Sequence, residues 1–232
     1  LPLSSSPVVD TTPLDKPAKQ YTENTILFVN KPKARQSKMF VFINGKPFEI
    51  GDAAYIDAFN DYFGGGFSGL MLQEIREYRS LAYATGGSFR YPLEKGKPVN
   101  FIGYVGTQSD KTLIAMETLD TLIRQMPAKP ERIEMIKSHL ELSAQTSRPN
   151  FRNIASTVDV WRKRGFPVDP LIIKLPIYRG LTWENIDEFY KDRMKNNPVV
   201  YMIVGDEKNI DMKSLAKYGK LVKISEKTLF SK

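Results

Sequence analysis

The sequence predicts an α+β domain, a mainly antiparallel sheet with helices packed on one face. Runs rich in β-branched and aromatic residues and stripes of helical spacing come in clusters, in the order ββ-αα-ββ-ααα-α-β-α-β, rather than in the strict alternation of a parallel α/β sheet. The 232 residues, 41% hydrophobic and 26% charged, are enough to bury one sizeable core. No second linker interrupts residues 21–232, so they read as one domain.

Residues 1–20 hold four prolines (Pro2, Pro7, Pro13, Pro17) among Ser, Thr and Asp and read as an extended linker. Two β-rich runs follow, Thr25 to Asn30 and Lys38 to Ile43, and then Asn44-Gly45, a pair that favours a tight turn. Ile56, Phe59 and Phe63 form one face of a helix that opens near Asp52 and stops at Gly64-Gly65-Gly66. Ser68 caps a second helix that runs to about Arg79, with Phe67 and Leu72 placed as a hydrophobic staple. Leu81 to Tyr91 and Val99 to Gln108 read as paired strands joined across Pro92 to Lys97.

Helical spacing then takes over. Met116, Leu119, Ile123 and Met126 make one stripe; Ile133, Ile136 and Leu140 after Pro130 make a second; Phe151, Ile154, Ala155, Val158 and Trp161 make a third, all read as core faces. A further helix starts at Thr182, with Leu181 and Ile186 as staple partners, and reaches Met194. Val199 to Val204 is a buried-strand candidate, Met212 to Tyr218 a short helix ended by Gly219, and Leu221 to Ser225 a last strand.

Composition excludes several chemistries. With no cysteine, thiolate metal sites and cysteine nucleophiles are absent, and the single histidine, His139, cannot supply the two imidazoles of an HxxEH zinc site. His139 itself falls mid-helix and reads as a surface or packing residue. The net charge of +8 is C-terminal: twelve Lys and Arg face eleven acids over residues 1–110, against 22 and 15 over residues 111–232. Arg148, Arg152, Arg162, Lys163 and Arg164 form the densest cluster, read as a solvated helix face or as an anion-attracting patch. No apolar run approaches the ~18 residues of a membrane span. The start lacks an initiator Met and a basic leader, so the chain reads as processed or as cut from something larger, and its compartment, cytoplasm or periplasm, is not legible.

GFSGL at Gly66 to Leu70 has the outline of a nucleophile elbow, but that motif needs a strand before it and a histidine partner, and here a helix precedes it. Gly64-Gly65-Gly66 lacks the Gly-Lys-Ser/Thr of a phosphate loop. It reads either as a helix terminator or as a stretch without side chains where another backbone can approach.

The segment FGGGFSGLMLQEIREYRSLAY, Phe63 to Tyr83, resembles the signature of the non-catalytic domains of M16 zinc metallopeptidases, the family of pitrilysin, insulinase and the mitochondrial processing peptidase. Weaker similarity covers about residues 20–230, through ILFV, RQSKMFVF, LTWENIDEF, VVYMIVGD and KYGKLVKI, most like the last domain of a four-domain bacterial member. The resemblance implies a LuxS/MPP-like metallohydrolase fold and a chain that cleaves nothing alone. Zinc and the HxxEH helix would belong to a separate catalytic domain or subunit, the expected partner, and this chain would carry no cofactor of its own.

The resemblance also assigns a role to Arg76 and Tyr83, which stand where the family places an arginine and a tyrosine that hold the peptide substrate at the point of cleavage. A phenol stays protonated at neutral pH and can donate to a developing oxyanion, and a guanidinium can grip main-chain carbonyls. Gly64, Gly65 and Gly66 resemble a glycine-rich substrate-contacting loop of processing-peptidase relatives. The chain departs from the pattern at Leu70 and Ser80, where the family often has Arg and Gly, which bears on the turn before Leu81. Read without the resemblance, Arg76 is an i,i+3 partner of Gln73 or part of a salt bridge around Glu77, and Tyr83 is a core aromatic. Two other functions stand beside peptide holding: a non-proteolytic scaffold of the same fold, and, ranked last for want of an aromatic stacking platform, a nucleic-acid-binding module built on Arg148 to Arg164.

Overall fold

A computed structural model describes residues 18–66 and 68–230. The linker expected over residues 1–20 lies outside them except for 18–20, as does Phe67. Six strands among the described residues, β1 (Thr25–Asn30), β2 (Gln36–Ile43), β3 (Ala82–Phe89), β4 (Phe101–Gln108), β5 (Val199–Gly205) and β6 (Lys220–Lys223), form one sheet in the order β3-β4-β2-β5-β1-β6. The β3/β4, β4/β2 and β2/β5 pairs are antiparallel, whereas β5/β1 and β1/β6 are parallel. The sheet is thus mostly antiparallel, and β3 is an edge strand.

One face of the sheet is packed. Ile26, Phe28, Met39, Val41, Ile43, Phe101, Val105 and Ile203 point to the same side and are buried, while their alternates Lys38, Phe40, Ile102 and Val204 are exposed on the other. The packed face meets α1 (Ala53–Phe63) and α2 (Thr112–Arg124), and α3 (Ile133–Thr146), α5 (Pro170–Arg179) and α6 (Trp183–Tyr190) pack against α1. Phe59, Phe63, Phe89, Phe101 and Phe189 form an aromatic cluster with ring centroids 5.2–5.7 Å apart, edge-on, tilted or stacked. Each such contact contributes about 0.5–1.5 kcal/mol beyond area burial, so the cluster fixes the far end of β3 against α1 and α6.

α6 opens after Thr182, where a helix was expected to start, and Thr182 and Asn185 make a capping box there. Two expectations fail. Asn44-Gly45 makes no hairpin turn, because both neighbours of β2 are remote in sequence; Gly45 instead donates its amide to Asn100 Oδ1 at 2.9 Å. The third stripe is not a core face either. In α4 (Ile154–Lys163) no residue is fully buried, Phe151 before it is 74% exposed and Ile154 50%, because the sheet face is already covered by the inner helices. α5 and the terminal α8 (Glu226–Phe230) lie where no helix was expected, and α7 (Met212–Leu215) opens the short helix before Gly219.

Asp57 on α1 ties α5 down: it accepts from Tyr91 Oη at 2.9 Å, Lys174 Nζ at 2.8 Å and Tyr178 Oη at 2.5 Å. Burial pushes the phenol pKa values of Tyr62, Tyr91, Tyr178 and Tyr201 above their ordinary value. In the unfolded chain these phenols ionise near pH ~10, while the folded chain keeps their protons, so the stability they contribute is intact below pH ~10 and declines as pH rises beyond it. Melting temperatures measured from pH 8 to 11.5 should hold level to about pH 10 and then fall steeply; a flat profile to the end of the range would refute this.

Candidate functional site

The site begins at the C-terminal end of α1 and its continuation into β3. After Gly64 to Gly66, where Gly66 has φ +49°, a helical segment includes a π-helix over Leu72–Glu77, with Tyr78 N donating to Gln73 O at 2.9 Å. Such wide turns concentrate at functional sites. Ser68 does not cap this segment through its hydroxyl; its carbonyl accepts from Arg132 Nη1 at 2.8 Å. Arg132 also binds Gln73 Oε1, and Glu74 takes Arg79 at 2.6 Å and Lys129 at 3.3 Å. Burial acts to raise the Glu74 pKa, yet the hydrogen bonds from Arg79 and Lys129 outweigh it and hold the carboxyl below its usual range.

The segment ends in a left-handed reversal one residue wider than a Schellman motif: Ser80 N donates to Arg76 O and Leu81 N to Ile75 O, both at 2.9 Å. Ser80 takes φ +50° there, the left-handed conformation that glycine adopts without strain. The turn before Leu81 therefore forms despite the serine. Gln73 is occupied by Arg132 and Glu74 by Arg79, so Arg76 is left with an ion pair to Glu77 at 3.6 Å, and its side chain is 45% exposed.

Tyr83 is the extra residue of a bulge between Ala82 and Ala84, which turns its ring onto the open face of the sheet, where it is 48% exposed. It is no core aromatic. The ring lies across Gly106 of β4, where any Cβ would collide with it, and its hydroxyl is 3.3 Å from that of Tyr104, whose ring sits 5.1 Å from Phe40. Its hydrogen bond with Tyr83, with some burial, pushes the Tyr104 pKa up to about 12.

A cleft of about 1100 Å³ runs past this aromatic row and along the outer edge of β3. Gly64, Gly65, Gly86 and Gly87 line it, as do Phe40 and Tyr104, with Leu140 of α3 and Trp161 of α4 on the opposite wall. Arg76, Tyr83 and Gly66 are not in its lining; Tyr83 reaches its rim through Tyr104. At Gly64 the approaching backbone is the chain's own, since a Cβ there would overlap the Gly87 carbonyl. Asn60 bonds both polar groups of Phe89, accepting from its N–H at 2.7 Å and donating to its carbonyl at 3.0 Å. The backbone groups of Phe89 therefore point off the outer edge of β3, and so, by alternation, do those of Gly87 and Thr85. Of these three, only Thr85 has backbone groups with neither a side-chain partner nor a covering glycine.

Several of these residues escaped the sequence reading. Tyr104 and Gly106 carried a weak signal, the alternation of Ile102 and Tyr104 on one face of a strand. Asn60 carried none. His139 is exposed and bonds Asp61 Oδ1 at 2.9 Å, which fits its reading as a surface residue. The basic cluster is partly committed: Arg164 donates to Pro92 O and lies over the Tyr91 ring, and Lys163 pairs with Asp159 at 2.7 Å. Among the described residues no group of three or more His, Cys, Asp or Glu is placed to hold a metal, and no helix is long and apolar enough to cross a membrane.

Sheet, helical layer and open face together define an α+β domain built on a mostly antiparallel sheet. The fold is shared with a peptidase M16 inactive domain from Pseudomonas fluorescens, at a TM-score of 0.66 and 18% identity over 79% of this chain and 44% of that one. A protease from Helicobacter pylori gives 0.64 at 11% identity over 79% and 44%, and the periplasmic protease PqqL of Escherichia coli 0.61 at 15% over 83% and 21%. The family described as peptidase M16 inactive domain matches residues 3–140, and the chain belongs to it. A Rickettsia felis protein described as an uncharacterized zinc protease is 32% identical over 127 residues, which are 54% of this chain and 29% of that protein. The chain thus spans less than a third of that relative.

Two measurements test the local geometry. Ser80→Gly should stabilise the protein by about 0.5–1 kcal/mol, relief of left-handed strain less the entropy cost of glycine, as read by urea unfolding; a destabilised variant would contradict the reversal. Tyr83→Phe should return the ionisation of Tyr104 toward pH ~10, followed by NMR of ring-labelled tyrosine; an unmoved titration would break the pairing of the two hydroxyls.

Proposed function

We propose that this chain is the substrate-holding, non-catalytic domain of a zinc metalloendopeptidase. An extended peptide lies in the cleft along β3 and passes the exposed pair Arg76 and Tyr83, to be cut by an HxxEH domain or subunit elsewhere in the assembly. The observation that carries this reading is Tyr83. A strand aromatic laid across a glycine bed and against a second hydroxyl keeps its phenol on the open, half-exposed face of the sheet and out of the core.

Each group has a defined task. Thr85 offers the peptide a free N–H and carbonyl at the sheet edge, the requirement for adding a strand. Gly64 and Gly65 present backbone to the cleft, the Cβ positions they leave empty being taken up by Gly87 and Asp61. Arg76, with only a long ion pair to give up, donates to peptide carbonyls, while Tyr83 donates to the oxygen that becomes anionic during attack. The partner's zinc supplies the activated water; none of the described residues here gathers to bind a metal.

The test is kinetic and uses the assembled enzyme. Tyr83→Phe should lower kcat about 10²–10³-fold, the loss expected for one oxyanion donor, with little change in folding. Arg76→Ala should act mainly on KM, because it removes binding made in the ground state as well. A scaffold of the same fold would lose neither, so unchanged kinetics in both variants would favour that second role.

A further inference from the structure

The cleft holds two cationic side chains that have no partner among the described residues and that the peptide-holding role leaves unexplained. Six charged side chains line it: Asp57, Asp61, Asp169, Arg90, Arg148 and Lys174. The three carboxylates are engaged, Asp57 by Lys174 and two tyrosines, Asp61 by His139, and Asp169 by the Leu171 amide at 2.9 Å. Lys174 is neutralised within its pair with Asp57. Arg90, just past the end of β3, and Arg148, between α3 and α4, are both exposed and make no ion pair or side-chain hydrogen bond with any described residue.

We infer that the cleft selects peptides bearing a carboxylate, gripped by the uncommitted guanidiniums of Arg90 and Arg148; this rests on the peptide-holding role and names its substrate class. The guanidinium fork matches a carboxylate in two parallel hydrogen bonds and carries its charge at every physiological pH. Leu140, Trp161 and Leu171 form apolar wall in the same cleft. The same wall gives an apolar flanking residue of the peptide a place to rest. The carboxylate has two sources, an Asp or Glu side chain or the peptide's own C-terminus.

Fluorescence anisotropy of the 232-residue chain with labelled peptides of one apolar sequence separates these cases. One peptide carries an internal Glu and an amidated end, a second Gln and a free end, and a third Gln and an amidated end. A carboxylate in either position should tighten binding about tenfold or more over the third peptide, and the peptide that gains identifies the source. The gain should vanish in Arg90→Gln/Arg148→Gln and shrink in 0.5 M salt, while unchanged melting of that variant shows that it is folded. Equal binding of all three peptides overturns the inference and leaves peptide holding intact; binding of none, at any charge, overturns both.

Discussion

Two backbone hydrogen bonds, from Ser80 to Arg76 and from Leu81 to Ile75, decide where the candidate site stands. They convert a π-helical turn into an edge strand within two residues, so that a guanidinium on the helix and a phenol on the strand emerge at the same corner of the sheet. The reversal is held from behind by Glu74, Arg79, Lys129 and Arg132, which fasten the helical segment to the body of the domain. Serine at the left-handed position costs about 1–2 kcal/mol that glycine would not. The surrounding bonds carry that strain.

Around this corner the sheet is arranged to keep one strand available. β3 is packed on its inner face by the phenylalanine cluster and paired on its inner edge by β4. Most of its outer edge is also accounted for, by Asn60 at Phe89 and by Gly64 at Gly87. What remains open is short and lies next to Tyr83. An edge strand blunted except for one residue resists pairing with other copies, and on the proposed reading it keeps a place for an extended ligand. The open sheet face, with Phe40, Tyr104 and Tyr83 in a row, extends that place beyond the cleft.

Much of the architecture was legible because it follows from periodicity. The alternating burial of β2 and the stripes of α1, α2 and α3 are written in the spacing of their apolar residues. Local geometry that depends on remote partners was not. Asn44-Gly45 has turn chemistry, yet β2 finds its neighbours in β4 and β5, so no hairpin forms. The stripe of α4 is as regular as any, but a helix in the outer layer meets the cleft rather than the core. α5 hid behind an apolar composition with Pro176 inside it, although Asp169-Pro170 is a sound helix start, and the Asp169 side chain does accept from Leu171. At the site, Arg76 and Tyr83 stood out through a family resemblance alone, whereas Tyr104, Gly106 and Asn60, which set the pose of Tyr83 and the shape of the edge, are visible only once strands are in register.

The central claim is that the Tyr83 side chain meets a peptide held for cleavage by another domain. It is tested most directly by placing a benzophenone photocrosslinker at position 83 of the assembled enzyme and irradiating it with a slowly cleaved substrate. The account predicts a covalent adduct between position 83 and the peptide, competed by unlabelled substrate, and none from the same group at position 222 on the opposite edge of the sheet. No adduct at position 83, or equal labelling at both positions, would contradict it.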